Sequence, residues 1–367
     1  MTAHRDRPPL PGPEPTGSRP TRPDDPPTPL SPIVTDVPAP SPRIPAAPPA
    51  PHRPLLDMTI DGRPVAVPAG STILEACRAE GIDIPTLCQV EALEPAGVCR
   101  LCVVDTGGRA LTPSCSTPVT EGMDVRTGSE RVRHARRLIL ELIGSAVRMD
   151  LAGPELPDGS VAAWMAEYGA DPTRFGPPAP PAGPDERDDR HAGHHRAPDG
   201  AVAETMAQPV KVDNDYYVRD YSRCILCYKC VDACGAEAQN TFAISVAGRG
   251  FDARISTEGN VPLPTSACVY CGNCIAVCPT GALMTRTEFE MREAGTWDAA
   301  AQTTTETICG YCGVGCTLSL TVQDERIVRV LSPLGHDITR GNLCVKGRFG
   351  YAFVQSRPTD AGEARTG

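Results

Sequence analysis

The sequence predicts an α+β protein built from several small units, each organised by clustered cysteines. Three observations predict it. Seventeen cysteines in 367 residues fall into tight groups separated by two or three residues. Aromatic residues make up only 4% of the chain, which suits small stapled units better than one large core. Strand-like and helix-like pieces alternate in short runs. The formal charge of −10 lacks the basic footprint that nucleic acid requires.

Residues 1–56 read as a disordered tail. Nineteen of the forty prolines precede Leu55, and a segment such as PPLPGPEPTGSRPTRPDDPPTPLSP buries too little apolar surface to offset its ordering entropy. A ligand for a proline-recognising domain is the other reading of it. MTAHRDRPPL lacks the apolar core of a signal peptide, no stretch is apolar enough to span a bilayer, and Met58 would serve as an alternative start.

Residues 57–128 predict a small sheet with one helix across it. Alternating segments around MTID and VAVP flank the hairpin turn Asp61-Gly62. Ser71 or Thr72 caps a helix running to Glu80, closed by Gly81. Strand-like pieces follow at CVVD, ALTP and MDVRT. Residues 129–170 are helical: from Ser129 to Met149, Val132, Ala135, Leu138, Ile139, Leu142, Ile143 and Ala146 form one apolar face, and a second helix ends near Gly169. Residues 171–208, rich in proline and charge, are a flexible linker. His191, His194 and His195 lie in it without cysteine or carboxylate framing and read as solvated.

Twelve cysteines lie beyond Pro209. Within 209–290, CILCYKCVDAC places Cys224, Cys227, Cys230 and Cys234, and CVYCGNCIAVCP repeats the pattern at Cys268, Cys271, Cys274 and Cys278. Two-residue gaps let a turn present three thiolates to three corners of one [4Fe–4S] cubane, while the fourth cysteine is carried off to the other cluster and Pro279 steers the chain away. The assignment is therefore crossed: Cys224, Cys227, Cys230 and Cys278 on one cubane, Cys268, Cys271, Cys274 and Cys234 on its twin. Zinc modules use paired dyads and fit this run poorly.

The quartet Cys88, Cys99, Cys102 and Cys115 departs from the plant ferredoxin spacing. Its long first loop suits a flat [2Fe–2S] rhomb, and Gly97 permits close backbone approach. Cys77 reads as a structural core thiol. In 303–356, Cys309, Cys312 and Cys316 sit in glycine-heavy TICGYCGVGC, and SLTVQDERIVRVL folds back to deliver Cys344 to a third [4Fe–4S]. Lys346 is either an exposed lysine balancing cluster charge or a bridge to something beyond the cluster. Residues 357–367 are a tail.

From Asp57 to Phe353 the order of the TIDG start, the Cys88 quartet, the paired ferredoxin runs and CGYCGVGC…LCVKGRFGY resembles the N-terminal iron–sulfur region of formate dehydrogenase alpha subunits, of the molybdopterin oxidoreductase family. The first half is similar to the large iron–sulfur subunit of respiratory complex I. The resemblance implies a β-grasp [2Fe–2S] ferredoxin domain, and a [4Fe–4S] beside a molybdenum or tungsten bis-pterin, with Lys346 as the family lysine between them. Electrons would run from that site through the cubanes to the [2Fe–2S] end, where a flavin- and NAD-binding partner collects them. Two departures stand out. Ser116 to Arg223 holds no cysteine, so a family cluster bound by one histidine and three cysteines is absent. The pterin-binding domains lie past Gly367, and would belong to a partner chain.

The expected function is thus a cytoplasmic iron–sulfur electron-transfer subunit or fragment of a formate dehydrogenase-like oxidoreductase, with no catalytic residue of its own and inactive alone. The alternatives are a truncated remnant and a zinc-stapled interaction protein.

Overall fold

The computed structural model describes residues 53–146, 161–175, 195–196, 202–203, 210–249, 253–336 and 338–355. Most of the expected tail, the linker with His191 and His194, and the residues after 355 lie outside these.

The fold is mixed α+β with small sheets. β1 (Leu55–Ile60) and β2 (Arg63–Pro68) form the expected antiparallel hairpin. Asp61 and Gly62 both take positive φ, 48° and 81°, the geometry that matches a two-residue turn to strand twist. β1 begins at Leu55, inside the segment assigned to the tail. α1 (Ile73–Ala79) starts at Thr72, whose side chain accepts from the Glu75 amide while the Glu75 carboxylate accepts from the Thr72 amide. This capping box satisfies two otherwise orphaned donors. Short β3 (Val103–Val104) and β4 (Thr112–Pro113) pair with each other, and β5 (Met123–Val125) runs parallel to β1 in a sheet ordered β2-β1-β5. Ile60, Ile73, Leu74, Cys77 and Val125 fill the core between sheet and helix.

The helix α2 (Glu130–Ala146) forms where the periodicity places it, but its buried face is turned. Leu142, expected inside, is half exposed, while Val132, Arg136, Leu140 and Gly144, each four apart, are buried. A charged residue spoils an apolar stripe in sequence yet fits one when the fold brings acceptors to it. Arg136 donates to the Val103 carbonyl at 2.9 Å and the Tyr168 hydroxyl at 2.8 Å, and buried Glu141 pairs with Arg174. Helix α3 (Val161–Tyr168) ends at Gly169, φ 61°, and packs Trp164 and Met165 on Leu140. Residues 171–175, assigned to the linker, belong to this packing: Pro172 lies against Gly144. Two-residue strands β6 (His195–Arg196) and β7 (Val202–Ala203) pair antiparallel.

In the next unit β8 (Tyr217–Arg219) pairs with β11 (Leu283–Thr285). Between them lie α4 (Lys229–Cys234), the hairpin β9 (Ser245–Ala247) and β10 (Arg254–Ser256), and α5 (Asn273–Ala276). Helix α6 (Arg286–Glu293) leads to an antiparallel sheet ordered β12-β13-β14, from β12 (Thr303–Ile308), β13 (Thr317–Gln323) and β14 (Arg326–Leu331). The β13–β14 turn is Asp324-Glu325, both at positive φ. Fully buried Glu288 on α6 meets Arg292 at 2.7 Å and Arg329 of β14 at 3.6 Å, tying this sheet to α6. Helices α7 (Val345–Phe349) and α8 (Ala352–Gln355) follow. Among the described residues no helix is long and apolar enough to cross a membrane.

Candidate iron–sulfur centres

None of the seventeen cysteines is in a disulfide, and the fold brings the expected sixteen together in four groups. The two ferredoxin-type runs adopt one backbone pattern twice. Leu226 and Tyr228 have φ of 53° and 66°, and their counterparts Tyr270 and Gly272 have 56° and 71°. Three of these four are not glycine, and such residues cost about 1–3 kcal/mol each and persist where the surroundings demand them. The turn this produces is the same in both: the Leu226 amide donates to Cys224 Sγ and the Tyr270 amide to Cys268 Sγ, each at 3.4 Å.

Two cavities open between the runs. One is lined by Cys224, Cys227, Cys230 and Cys278, with Pro279 and Thr280. The other is lined by Cys268, Cys271, Cys274 and Cys234, with Tyr217, Arg219, Thr241 and Ala243. Each cavity takes three cysteines from one run and the last from the other. The sulfurs surround a space; among the described residues no three His, Cys, Asp or Glu side chains converge on the position of a single metal ion. Four thiols around one such space are the donor set of a cubane.

Burial is the main force on these thiols. It pushes Cys224 and Cys227 up to about 12 and Cys230 and Cys274 well above the usual thiol range, with neighbouring sulfurs adding to the effect. Four thiolates in such a space need compensating cations, which the iron of a cluster would supply, since a coordinating thiol is deprotonated outright. Hydrogen bonds also reach the sulfurs: the Ala243 amide donates to Cys234 Sγ at 3.3 Å, the Thr241 hydroxyl lies 3.3 Å from the same atom, and the Tyr217 hydroxyl is 3.0 Å from Cys268 Sγ.

The N-terminal quartet forms two hydrogen-bonded pairs. Sharing a proton with Cys99 draws Cys88 below the usual thiol range and drives Cys99 above it; Cys102 is drawn down and Cys115 driven up in the same way. The Cys99 amide donates to Cys88 Sγ at 3.5 Å, and Arg100 inside the close pair is left-handed, φ 59°. The donor set suits a small cluster beside the β3–β4 pair, which Cys102 and Cys115 flank. Cys77 lies outside the quartet in the apolar core, its thiol pushed up to about 11 by burial.

The last quartet is the most open. Cys309 is buried, Cys316 half-buried, Cys312 and Cys344 exposed. The Cys309 amide donates to the Cys316 carbonyl at 2.7 Å, closing the CGYCGVGC loop. Burial raises Cys316, and the other three thiols are close enough to raise it further. Lys346 is exposed, in the first turn of α7 beside Cys344. Exposed Ile308, Tyr311, Val314 and Phe353 surround this end.

Sequence reasoning passed over Tyr217, Arg219, Asn273 and Arg348. Arg348 stands two positions from Lys346 in VKGRF and is wholly buried; an arginine in a charged stretch carries no sequence mark of burial.

Fold and sites together define a protein of the ferredoxin type, with 2Fe–2S and 4Fe–4S cluster-binding domains in series. Comparison with known families agrees: residues 53–130 match the 2Fe-2S iron-sulfur cluster binding domain, residues 216–284 the ferredoxin-like domain of NADH-quinone oxidoreductase subunit 3, and residues 302–356 the molybdopterin oxidoreductase Fe4S4 domain. The alpha subunit of the NADPH-Fe(3+) oxidoreductase of Geobacter sulfurreducens is 35% identical over 82% of this chain and 32% of its own length. A Staphylococcus aureus protein provisionally named a formate dehydrogenase is 24% identical over 82% of this chain and 31% of its own. Among solved structures, a chain of an NAD+-reducing [NiFe]-hydrogenase in the H2-reduced state superposes with a TM-score of 0.50 at 26% identity, over 63% of this chain and 87% of that one. The chain spans about a third of the length of the curated relatives it matches. It resembles the N-terminal iron–sulfur region of molybdopterin oxidoreductases and the iron–sulfur subunits of complex I-type enzymes, and it contains iron–sulfur cluster-binding domains of both the 2Fe–2S and the 4Fe–4S kind.

Proposed function

We propose that this chain is a wire of four clusters. Cys88, Cys99, Cys102 and Cys115 hold one [2Fe–2S] in a β-grasp domain. Cys224, Cys227, Cys230 and Cys278 hold one [4Fe–4S], Cys268, Cys271, Cys274 and Cys234 a second, and Cys309, Cys312, Cys316 and Cys344 a third. The observation that carries this reading is the pair of cavities, each walled by three cysteines of one run and the fourth of the other.

The clusters, when bound, supply one-electron redox chemistry at potentials set by hydrogen bonds and solvent exposure. The protein's part is to hold the sulfurs, exclude water and donate hydrogen bonds to them. Exposure of Cys312 and Cys344, with apolar side chains around them, favours that end as the one facing a molybdenum- or tungsten-bis-pterin site, reached through Lys346, in a partner chain or further domain. The [2Fe–2S] end would then face a flavin- and NAD-binding or other redox partner. Formate is the substrate class that the Staphylococcus aureus relative suggests, and this chain contributes no group that attacks carbon.

The test is coulometry of chain purified without oxygen. It should accept about four electrons, one per cluster, and show no formate-dependent dye reduction. Dye reduction with formate by the isolated chain would overturn the proposal.

A further inference from the structure

Arg348 lies where two of these cysteine groups meet. Its side chain is 1% exposed. Nε donates to the Cys271 carbonyl at 2.9 Å, Nη1 to the Val330 carbonyl at 3.2 Å, and Nη2 to Asn273 Oδ1 at 3.1 Å and the Gly341 carbonyl at 3.4 Å. Asn273 Oδ1 also accepts from the Leu343 amide at 3.0 Å, the residue before Cys344. One guanidinium therefore joins the Cys268–Cys274 turn to β14 and to the segment that delivers Cys344.

The turn is shaped around it. A Cβ on Gly272 would stand 2.9 Å from Arg348 Nε and 3.2 Å from Phe349 Cζ, with Arg348 Cδ closer still. Gly272 is left-handed, but so is its counterpart Tyr228 in the other run, so backbone conformation alone does not demand glycine here. Room for the arginine does.

The hydrogen-bond partners are all neutral. Among the described residues no carboxylate pairs with Arg348, whereas Arg219, which lines the cavity of Cys268, Cys271, Cys274 and Cys234, is paired with Asp213. A buried cation without a counter-ion is costly. The negative groups near this one are the sulfurs of Cys271, Cys274 and Cys344.

We infer that Arg348 is a positioning residue that clamps the junction between the Cys268–Cys271–Cys274–Cys234 and Cys309–Cys312–Cys316–Cys344 centres, and that its unpaired charge raises the reduction potential of the former. The inference rests on the four-cluster reading above. Adding an electron makes a cluster more negative, so a fixed cation nearby favours the reduced state, and the effect is strong where water is excluded. The sulfurs of Cys224 and Cys227 are not among its near charges, so the other cubane is the internal control.

The test is an EPR-monitored redox titration of the loaded full chain and three variants. Arg348→Gln removes the charge and keeps part of the hydrogen bonding. It should make reduction of the Cys268 cluster about tenfold less favourable, about 59 mV for a one-electron couple, with the Cys224 cluster unmoved. Arg348→Lys, which keeps the charge and loses the fork, should restore most of the potential. Gly272→Ala, which displaces the guanidinium, should fall between. Equal midpoints in wild type and Arg348→Gln, or equal shifts of both cubanes, would overturn the inference. If Arg348→Gln loses the cluster, the lysine variant decides: a near-wild-type potential supports the charge, and loss of the cluster there too leaves a purely structural clamp and refutes it. A wild-type chain without a cluster signal from the Cys268 site would sink the four-cluster reading instead.

Discussion

Tyr217→Phe isolates one hydrogen bond to one cluster. The Tyr217 ring is buried among Tyr270 and Phe349, with centroids 6.4 and 6.3 Å away, so phenylalanine keeps the packing. What is lost is the hydroxyl 3.0 Å from Cys268 Sγ. Burial and the nearby sulfurs of Cys274 and Cys268 push this phenol far above its usual range, so it stays a donor at any working pH. A hydrogen bond to a charged acceptor contributes about 1.5–3 kcal/mol, and only its strengthening on reduction enters the potential. Taking that part as about 1 kcal/mol, the midpoint of the Cys268 cluster should fall by roughly 40 mV for one electron. EPR-monitored titration reads this directly. An unchanged midpoint in a fully loaded variant would refute the reasoning, as would a shift confined to the Cys224 cluster.

Four further outcomes are expected. Cys278→Ser should cost the cubane shared with Cys224, Cys227 and Cys230, about four irons, and spare that of its sequence neighbours; loss of the other cubane would contradict the crossed ligation. Gly144→Ala should destabilise the helical segment by about 1–3 kcal/mol, read by denaturant melts, because the new Cβ would sit 2.8 Å from Pro172 Cα. Thr72→Ala should lose about 1 kcal/mol through the capping box, without changing any cluster signal. Stripping iron with chelator and acid should collapse the far-UV dichroism of the ferredoxin unit, since metal binding and folding are one equilibrium in such domains; a fully folded apo form would argue against it.

The legible part of this molecule was local. Asp61-Gly62, the Thr72 cap and Gly81 are short-range signals, and each stands where the pattern points. Cysteine spacing likewise announced the repeated turn of the two ferredoxin-type runs, because two-residue gaps constrain one turn of backbone. Long-range pairing was less visible. The rotation of α2 depends on Arg136 finding the Val103 carbonyl 33 residues away. Arg348 is hidden for the same reason: its acceptors at Cys271, Asn273, Val330 and Gly341 come together only in three dimensions. Lys346, which the sequence made conspicuous, is exposed, and the buried cation is its neighbour two positions on.

The decisive measurement is the iron, acid-labile sulfide and zinc content of anaerobically purified chain, with EPR of its reduced form. A four-cluster wire requires about fourteen irons and equivalent sulfide, no stoichiometric zinc, and one [2Fe–2S] with three [4Fe–4S] signals. Zinc in place of iron would contradict it outright, and about ten irons without the Cys309 cluster would leave the wire one centre short and contradict it too.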